Sequence, residues 1–443
     1  MQGKDYILSN LEKISKMIEA DQTELVYQYR DNQLTRFANN YIHQNIAERD
    51  GILTIKTVNG KKVCLTTVNS LEEDIIKDAL KRLKEAEKFQ PDDPDFISLP
   101  SPEEIEIISS FDEETAFCSP LKRAEYVKTV TDLAEKFNVT ASGQCSTTFS
   151  ELAVFNSLGI NSYTKSTDAN LLSMVMEKME GFSALNNFSI SMIDPNIVAN
   201  ESVSKCVESR DAIEIEPDTY TVVLDTYGVA QLVELLCFEN FDAKSFMEDR
   251  SCVSGKLNQK ITGDLVSIYN DPTDHEGMMF SIDMEGLPRQ KLALIENGIA
   301  KNIVHNSYTA GLMNTKSTGN RVSASSNTPF PLNITMKSGE STLNQMIESV
   351  EKGLYITRLN YINAVDSRQT INTGLTRGGT FLIENGKISK AVYNLRFTDS
   401  TLKMFNNISM VSDQRRIGGE YAPTLTPAVK IDKFRFTGKT KPA

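Results

Sequence analysis

Leu294-Ile-Glu-Asn-Gly298 recurs further along the chain as Leu382-Ile-Glu-Asn-Gly386. Each copy sets a short apolar run against Asn-Gly, the dipeptide that most readily takes the two positive φ angles of a tight hairpin turn. Around them, from Tyr220-Thr-Val-Val-Leu224 onward, short strand patterns are separated by glycine turns, with helical spacing only near 229–241 and 341–353. The C-terminal half therefore reads as a β-rich, largely antiparallel domain. Its boundary falls where the texture changes, at Asp211-Ala-Ile-Glu-Ile-Glu-Pro-Asp218, and residues 216–443 are assigned to it.

Upstream, an amphipathic helix precedes period-two stretches at 24–30 and 34–42, with Asp31-Asn32 read as the turn between them. Strands at 52–58 and 62–66 meet at Asn59-Gly60, and Ser70-Leu-Glu-Glu73 reads as a capping box opening a helix that runs to about residue 89. This first unit, 1–95, has four strands and closes in a breaker-rich linker, Gln90-Pro-Asp-Asp-Pro-Asp95 followed by Pro100-Ser-Pro102. A central unit, 96–215, opens with a helix at Ser119-Pro120 that ends near residue 138. It continues with strands at 140–147, 152–156, 161–169 and 171–180, and a helix at 195–209. Comparing Leu34-Thr-Arg-Phe-Ala-Asn39 with Glu151-Leu-Ala-Val-Phe-Asn156 makes it a degenerate repeat of the first. The fold class is α+β: N-terminal repeats of antiparallel strands plus helices, then the β-rich domain.

Composition narrows the function. A chain of 443 residues exceeds one ordinary core, which agrees with several domains. A net charge of -12 without a clustered basic run argues against direct nucleic-acid binding, because phosphate contacts need grouped Lys and Arg. No stretch approaches the roughly 20 apolar residues that span a bilayer, and the first helix has no uninterrupted apolar core of the signal-peptide kind. A cytoplasmic protein is expected. The six cysteines, with no C-x-x-C pair, read as reduced, buried small hydrophobes.

The stretch with chemical interest is Gly228-Val-Ala-Gln-Leu-Val-Glu-Leu-Leu-Cys-Phe-Glu-Asn-Phe241, with Glu234 at its centre. A zinc-peptidase helix flanks its general-base carboxylate with two neutral imidazoles, so that the metal lowers the pKa of bound water to about 7. Here Val233 and Phe238 stand at the flanking positions, and a lone carboxylate has little to act on. The only histidines, His43, His275 and His305, lie far apart in sequence. His275 sits in Asn270-Asp-Pro-Thr-Asp-His-Glu-Gly277, whose punctuation reads as a solvated loop, and His305 reads as a surface or domain-contact residue. Cys237 has no evident cationic neighbour to make it a thiolate. No Gly-x-Ser-x-Gly elbow and no phosphate-binding glycine loop occurs. Ser317-Thr-Gly-Asn-Arg321, with the residues up to 329, reads as a polar, flexible segment.

Several runs, in order and spacing, carry a family resemblance: Leu34 to Asn39, Gly51-Ile-Leu-Thr-Ile55, Asp283-Met-Glu-Gly-Leu-Pro-Arg289, Ser317 to Arg321, Glu351-Lys-Gly-Leu-Tyr-Ile-Thr357 and Gly378-Gly-Thr-Phe-Leu-Ile-Glu-Asn-Gly386. With them the chain resembles the TldD/PmbA family, labelled modulators of DNA gyrase and understood as peptidases of two related subunits. One subunit type carries His-Glu-x-x-x-His on the helix of Glu234, with a cysteine ligand near the C-terminus. Here there is no cysteine after Cys252, and Gln414-Arg-Arg-Ile-Gly-Gly-Glu-Tyr-Ala-Pro423 runs through that region. The resemblance is therefore to the zinc-free, PmbA/TldE-type subunit. It implies that Glu234 is a vestigial catalytic residue, that Val233 and Phe238 are degenerate metal positions, and that zinc is expected only in a partner. The implied partner is a TldD-like metal-bearing subunit, or a second copy of this chain. The implied substrate is an unfolded peptide or leader segment, held by strand pairing with Asn320 and Arg321 fixing its ends or carbonyls. Two alternatives stand beside this: a self-sufficient peptidase with an unrecognised metal site, and a homodimeric peptide-binding regulator.

Overall fold

A computed structural model describes residues 1–440, so the last three residues assigned to the C-terminal domain lie outside the described residues. The N-terminal part is one six-stranded antiparallel sheet with the order β3-β2-β1-β4-β5-β6. Its strands are β1 (Gln22–Ala38), β2 (Tyr41–Asn59), β3 (Lys62–Val68), β4 (Thr140–Asn156), β5 (Asn161–Met176) and β6 (Glu180–Asn187). The central strands pair along their length, from Glu24 opposite Asn156 to Phe37 opposite Gly143. A boundary at residue 95 therefore separates no bodies. Each unit nevertheless has the same order of helix, three strands and helix, the helices being Lys4–Ser15 and Glu73–Glu87 in one and Pro120–Lys136 and Pro195–Glu208 in the other. The two hexapeptides compared above fall at the ends of β1 and β4.

Long strands replace several expected turns. Asp31 and Asn32 sit mid-strand in β1, where Arg49 of β2 bonds Asp31 at 2.9 Å and Thr148 of β4 bonds Asn32 at 3.0 Å. The turn instead falls at Asn39-Asn40, with φ of 52° and 65°, and the first unit has three strands, not four. The breaks expected after 147 and 169 are likewise absent, because pairing with neighbours on both sides outweighs local turn preference. Ser70 does not form a capping box; its hydroxyl accepts the Glu72 amide and the helix starts at Glu73. Ser119 does cap its helix, through the Lys122 amide.

Strand alternation gives the sheet two different faces. Leu25, Tyr27, Phe37, Cys145, Leu171 and Val175 point to the face covered by the four helices. Glu24, Val26, Arg30, Asn32 and Val154 point to the other, toward the C-terminal domain.

That domain holds eleven strands: β7 (Thr219–Leu224), β8 (Ile268–Asn270), β9 (Leu292–Glu296), β10 (Ile299–Ala300), β11 (Ile334–Met336), β12 (Lys352–Asp366), β13 (Ile371–Glu384), β14 (Lys387–Ala391), β15 (Leu395–Ser400), β16 (Ile408–Gly418) and β17 (Thr424–Lys439). All pairings are antiparallel except β7–β12 and β11–β17. The strand β17 pairs with both β15 and β7, so β7-β12-β13-β15-β17 closes on itself and hides those edges. Both Asn-Gly hairpins form as expected, with φ of 47° and 75° at 297–298 and of 50° and 74° at 385–386. The largest core packs the helix Thr226–Asn240, through Val229, Leu232, Val233 and Leu236, among these strands.

The two parts meet through charge and close backbone approach. Arg321 donates two bonds to Glu24 of β1, at 2.8 and 3.0 Å, and Lys56 of β2 meets the same carboxylate at 3.0 Å, all three groups being buried. A Cβ on Gly286 would lie 2.7 Å from Ile160 and 3.0 Å from Val154, so the Asp283-Met-Glu-Gly turn seats on the sheet only with glycine there. The segment expected as a linker is a strap. Phe96 and Leu99 are buried, Ser110 exchanges hydrogen bonds with Met279, and Tyr308 bonds Asp93.

Replacing Glu24 with Gln removes the carboxylate that Arg321 and Lys56 both contact and leaves Glu285, 3.7 Å from Arg321, as the only acid ion-paired there among the described residues. Urea unfolding is expected to show a loss of about 3–5 kcal/mol. A loss within the range of ordinary surface substitutions contradicts the role given to this pair.

Candidate functional site

Asp225, directly after β7, accepts the Thr226 amide and starts the helix Thr226–Asn240 that carries Glu234. Glu234 is 2% exposed. Its carboxylate accepts the backbone amides of Glu420 and Tyr421, each at 2.8 Å, and that of Ala422. Burial raises its pKa, and the three amides pull it back down. At Gly419 (φ 94°) a Cβ would stand 2.2 Å from the Ala422 carbonyl and 3.0 Å from a Glu234 oxygen, so the loop closes around the carboxylate only with glycine. The segment in which the sequence resemblance places a cysteine ligand thus lies on Glu234 and presents amides to it.

The residues at the ligand positions do not fit a zinc ion. Val233 is wholly buried in the largest core. Phe238 stacks at an angle between Phe330 and Tyr421, with ring centroids 5.7 and 6.4 Å away. Hydrocarbon side chains supply no donor, and both Glu234 oxygens are taken by N–H groups. Among the described residues no three His, Cys, Asp or Glu side chains are grouped to hold a metal.

Asn320 and Arg321 are not where the sequence reading put them to work. That reading is corrected: both are buried and their polar atoms are spent inside the protein. Asn320 donates to the Phe330 carbonyl and accepts from Thr318. Beside its Glu24 bonds, Arg321 donates to the carbonyls of Ser323 and Ala324. His305 is buried rather than on the surface, with its backbone amide bonded to Thr318. His275 is exposed, and its neighbours Asp274 and Glu276 are held by Arg415. All six cysteines are free and buried; burial pushes the Cys237 thiol far up, which keeps it protonated and unreactive.

What sequence reasoning missed is a groove of about 580 Å³ beside the Glu234 loop. Its floor is the polar face of the N-terminal sheet, including Asn32, Gln144, Ser146, Thr148, Asp168 and Asn170. Its opposite wall comes from the C-terminal domain, with Tyr227, Gln231, Arg358 and Gly418 to Glu420. Gln231 spans the base of that wall, accepting the Leu359 amide and donating to Glu420. Arg358 lies over the Phe182 ring at 4.1 Å; among the described residues its guanidinium makes one hydrogen bond, a long one to Asn360 at 3.4 Å, and its Nε has no partner. Asp168 has no hydrogen bond or ion pair among the described residues. Burial raises its carboxyl to about 6, with Arg30 pulling it back. The period-two polar residues of β4 and β5 carry the signal for this floor, but nothing in sequence says what faces it.

A family model, the PmbA/TldA metallopeptidase C-terminal domain, matches residues 217–438. The metalloprotease TldD homolog of Buchnera aphidicola from Acyrthosiphon pisum is 30% identical over 226 residues, covering 49% of this chain and 46% of the relative. An uncharacterized Methanocaldococcus jannaschii protein is 24% identical over 381 residues, covering 84% of this chain and 86% of its own length. The chain spans about half the length of the first curated relatives it matches, 46%, 52% and 53% of them. Among solved structures, TldE from Thermococcus kodakarensis superposes with a TM-score of 0.87 at 19% identity, over 98% of this chain and 99% of that one. A Thermotoga maritima protein described as a modulator of a DNA gyrase gives 0.85 at 16% identity, over 97% and 100%. These likenesses establish the α+β fold. Among the described residues no helix is long and apolar enough to cross a membrane.

Two outcomes follow from the geometry. Glu234→Ala removes the acceptor for three amides and is expected to cost about 2–4 kcal/mol. Hydrogen exchange at Glu420, Tyr421 and Ala422 then accelerates, whereas unchanged exchange there refutes the anchoring role. For Asp168, the folded state holds its proton more tightly than the unfolded chain, whose carboxyl titrates near 3.8. That stabilisation is complete below 3.8 and lost as pH rises through about 6. Asp168→Asn is therefore expected to gain on the parent between acid and neutral pH by on the order of 1–3 kcal/mol. Parallel pH–stability curves for the two proteins count against a raised carboxyl.

Proposed function

Because this chain belongs to the TldD/PmbA metallopeptidase family, we propose that it is the zinc-free subunit of a peptidase assembly, pairing with a metal-bearing relative and helping to enclose an unfolded peptide for cleavage. The observation that carries this reading is the state of Glu234. A general base must be free to take a proton from a water held beside it. Here the carboxylate accepts three backbone amides, and hydrocarbon side chains occupy the two flanking positions.

Peptide capture survives such a loss and hydrolysis does not. Strand pairing and a polar groove require main-chain and amide groups, such as Gln144 and Asn170 on the groove floor, whereas bond cleavage requires an activated water. The fold shared with TldE of Thermococcus kodakarensis supports the subunit assignment. The relatives named TldD homologs indicate which kind of chain would bring the metal.

The test is zinc content and cleavage of an unfolded peptide by the purified chain, by a metal-bearing relative from the same cell, and by their mixture. A stable mixed complex is expected, with little zinc on this chain and faster cleavage by the mixture than by the relative alone. Stoichiometric zinc with chelator-sensitive cleavage by this chain alone overturns the proposal in favour of a self-sufficient peptidase. A self-dimer that binds peptide and ignores the relative overturns it in favour of a homodimeric peptide-binding protein.

A further inference from the structure

Among the described residues, two side chains of opposite charge in the groove between the layers make no ion pair. On the floor, the Asp168 carboxylate of β5 faces the cavity without a hydrogen-bond partner among the described residues, and Arg30 of β1, which lines the same cavity, is a positive charge that acts on it. On the opposite wall, Arg358 of β12 has its guanidinium stacked on Phe182. Of the two acids near Arg358, Glu180 is bonded through one oxygen by Arg377 at 2.7 Å while its other oxygen has no hydrogen-bond partner among the described residues, and Glu420 accepts from Gln231 at 2.8 Å. The Arg358 Nε and the Asn170 Oδ1 are both buried with no partner among the described residues. A largely buried guanidinium that makes no ion pair among the described residues costs free energy that an anionic ligand would recover. Stacked on an aromatic ring, its planar fork is pre-organised to receive a carboxylate on two nitrogens.

We propose that this groove binds an extended peptide by both signs of charge, Arg358 receiving a carboxylate of the ligand and Asp168 receiving a cationic group such as a lysine side chain or an α-amine. Between these ends the floor offers Asn, Gln, Ser and Thr side chains, whose donors and acceptors suit a peptide main chain. The volume lies within the range of sites that enclose small ligands, so the groove holds a short segment and not a folded domain. The proposal deepens the peptide-binding reading above and rests on it. It assigns the recognition of charge to residues remote from Asn320 and Arg321.

The experiment is fluorescence anisotropy on the full chain with a labelled, unstructured Gly/Ser/Ala peptide that carries one lysine and a free C-terminal carboxylate. Companion peptides have the C-terminus amidated, the lysine replaced by norleucine, or an amidated end with one internal glutamate. On the parent protein, amidation and norleucine are each expected to weaken binding about tenfold. Restoration by the internal glutamate assigns Arg358 to acidic side chains, and failure to restore assigns it to the chain terminus. Arg358→Met is expected to abolish the difference between free-acid and amidated peptides, and Asp168→Asn the difference between lysine and norleucine. The comparison of peptides on the parent keeps the test valid if a variant folds poorly. Peptide binding that ignores both charges overturns the groove assignment and leaves peptide capture standing. No binding of any peptide overturns both.

Discussion

The bond between Glu24 and Arg321 holds the two layers of the molecule in register. Removing both charges from water is costly, and burial alone would push the Glu24 carboxyl up; Arg321 and Lys56 together outweigh it and hold that carboxyl below its ordinary value. The pair joins the start of the central strand β1 to a loop almost three hundred residues away in sequence. Around it, Asp283 organises the adjoining turn by accepting the amides of Glu285, Leu287 and Arg321. Seated in this way, the C-terminal domain stands over the N-terminal sheet at a fixed height, and the space left between them is the groove of Asp168 and Arg358.

Glu234 shows how an acid at a catalytic position can persist with a different physical task. A buried carboxylate is tolerable only when its lone pairs are filled. Three successive amides of the 420–422 loop fill them, and the loop in return acquires a fixed course past the mouth of the groove. The same loop places Tyr421 against Phe238, so an aromatic contact lies where an imidazole would otherwise point. The acid and its loop are one structural unit, and the wall that Glu420 contributes to the groove depends on it.

Some of this was legible residue by residue. Asn297-Gly298 and Asn385-Gly386 form hairpins because the longer-range bonds at those tips, from Gly298 to Val266, Asn385 to Glu351 and Gly386 to Val350, are compatible with the positive φ angles the dipeptide prefers, and Ser119-Pro120 caps a helix because cap chemistry acts within one turn. Asp31-Asn32 has comparable turn chemistry yet lies mid-strand, since β2 and β4 satisfy its backbone and side chains from both edges. In the same way Asn320 and Arg321 read as a mobile polar loop because sequence shows their polarity and not the carboxylate that awaits them. Asp168 shares the period-two polarity of the floor, but nothing singled it or Arg358 out: an isolated acid and an isolated base in strands are ordinary until something faces them.

Sequence alone determined the α+β class, the position of the β-rich domain, the family resemblance and the loss of the two imidazoles beside Glu234. Each of these follows from local pattern or from residue identity. Tertiary structure decided that the two N-terminal units share one sheet, that the C-terminal loop is tied to Glu234, and that unpaired charges meet across a groove. Those are pairings between residues tens to hundreds of positions apart, chosen by which buried polar groups can satisfy one another, and that competition is settled only when the chain is folded.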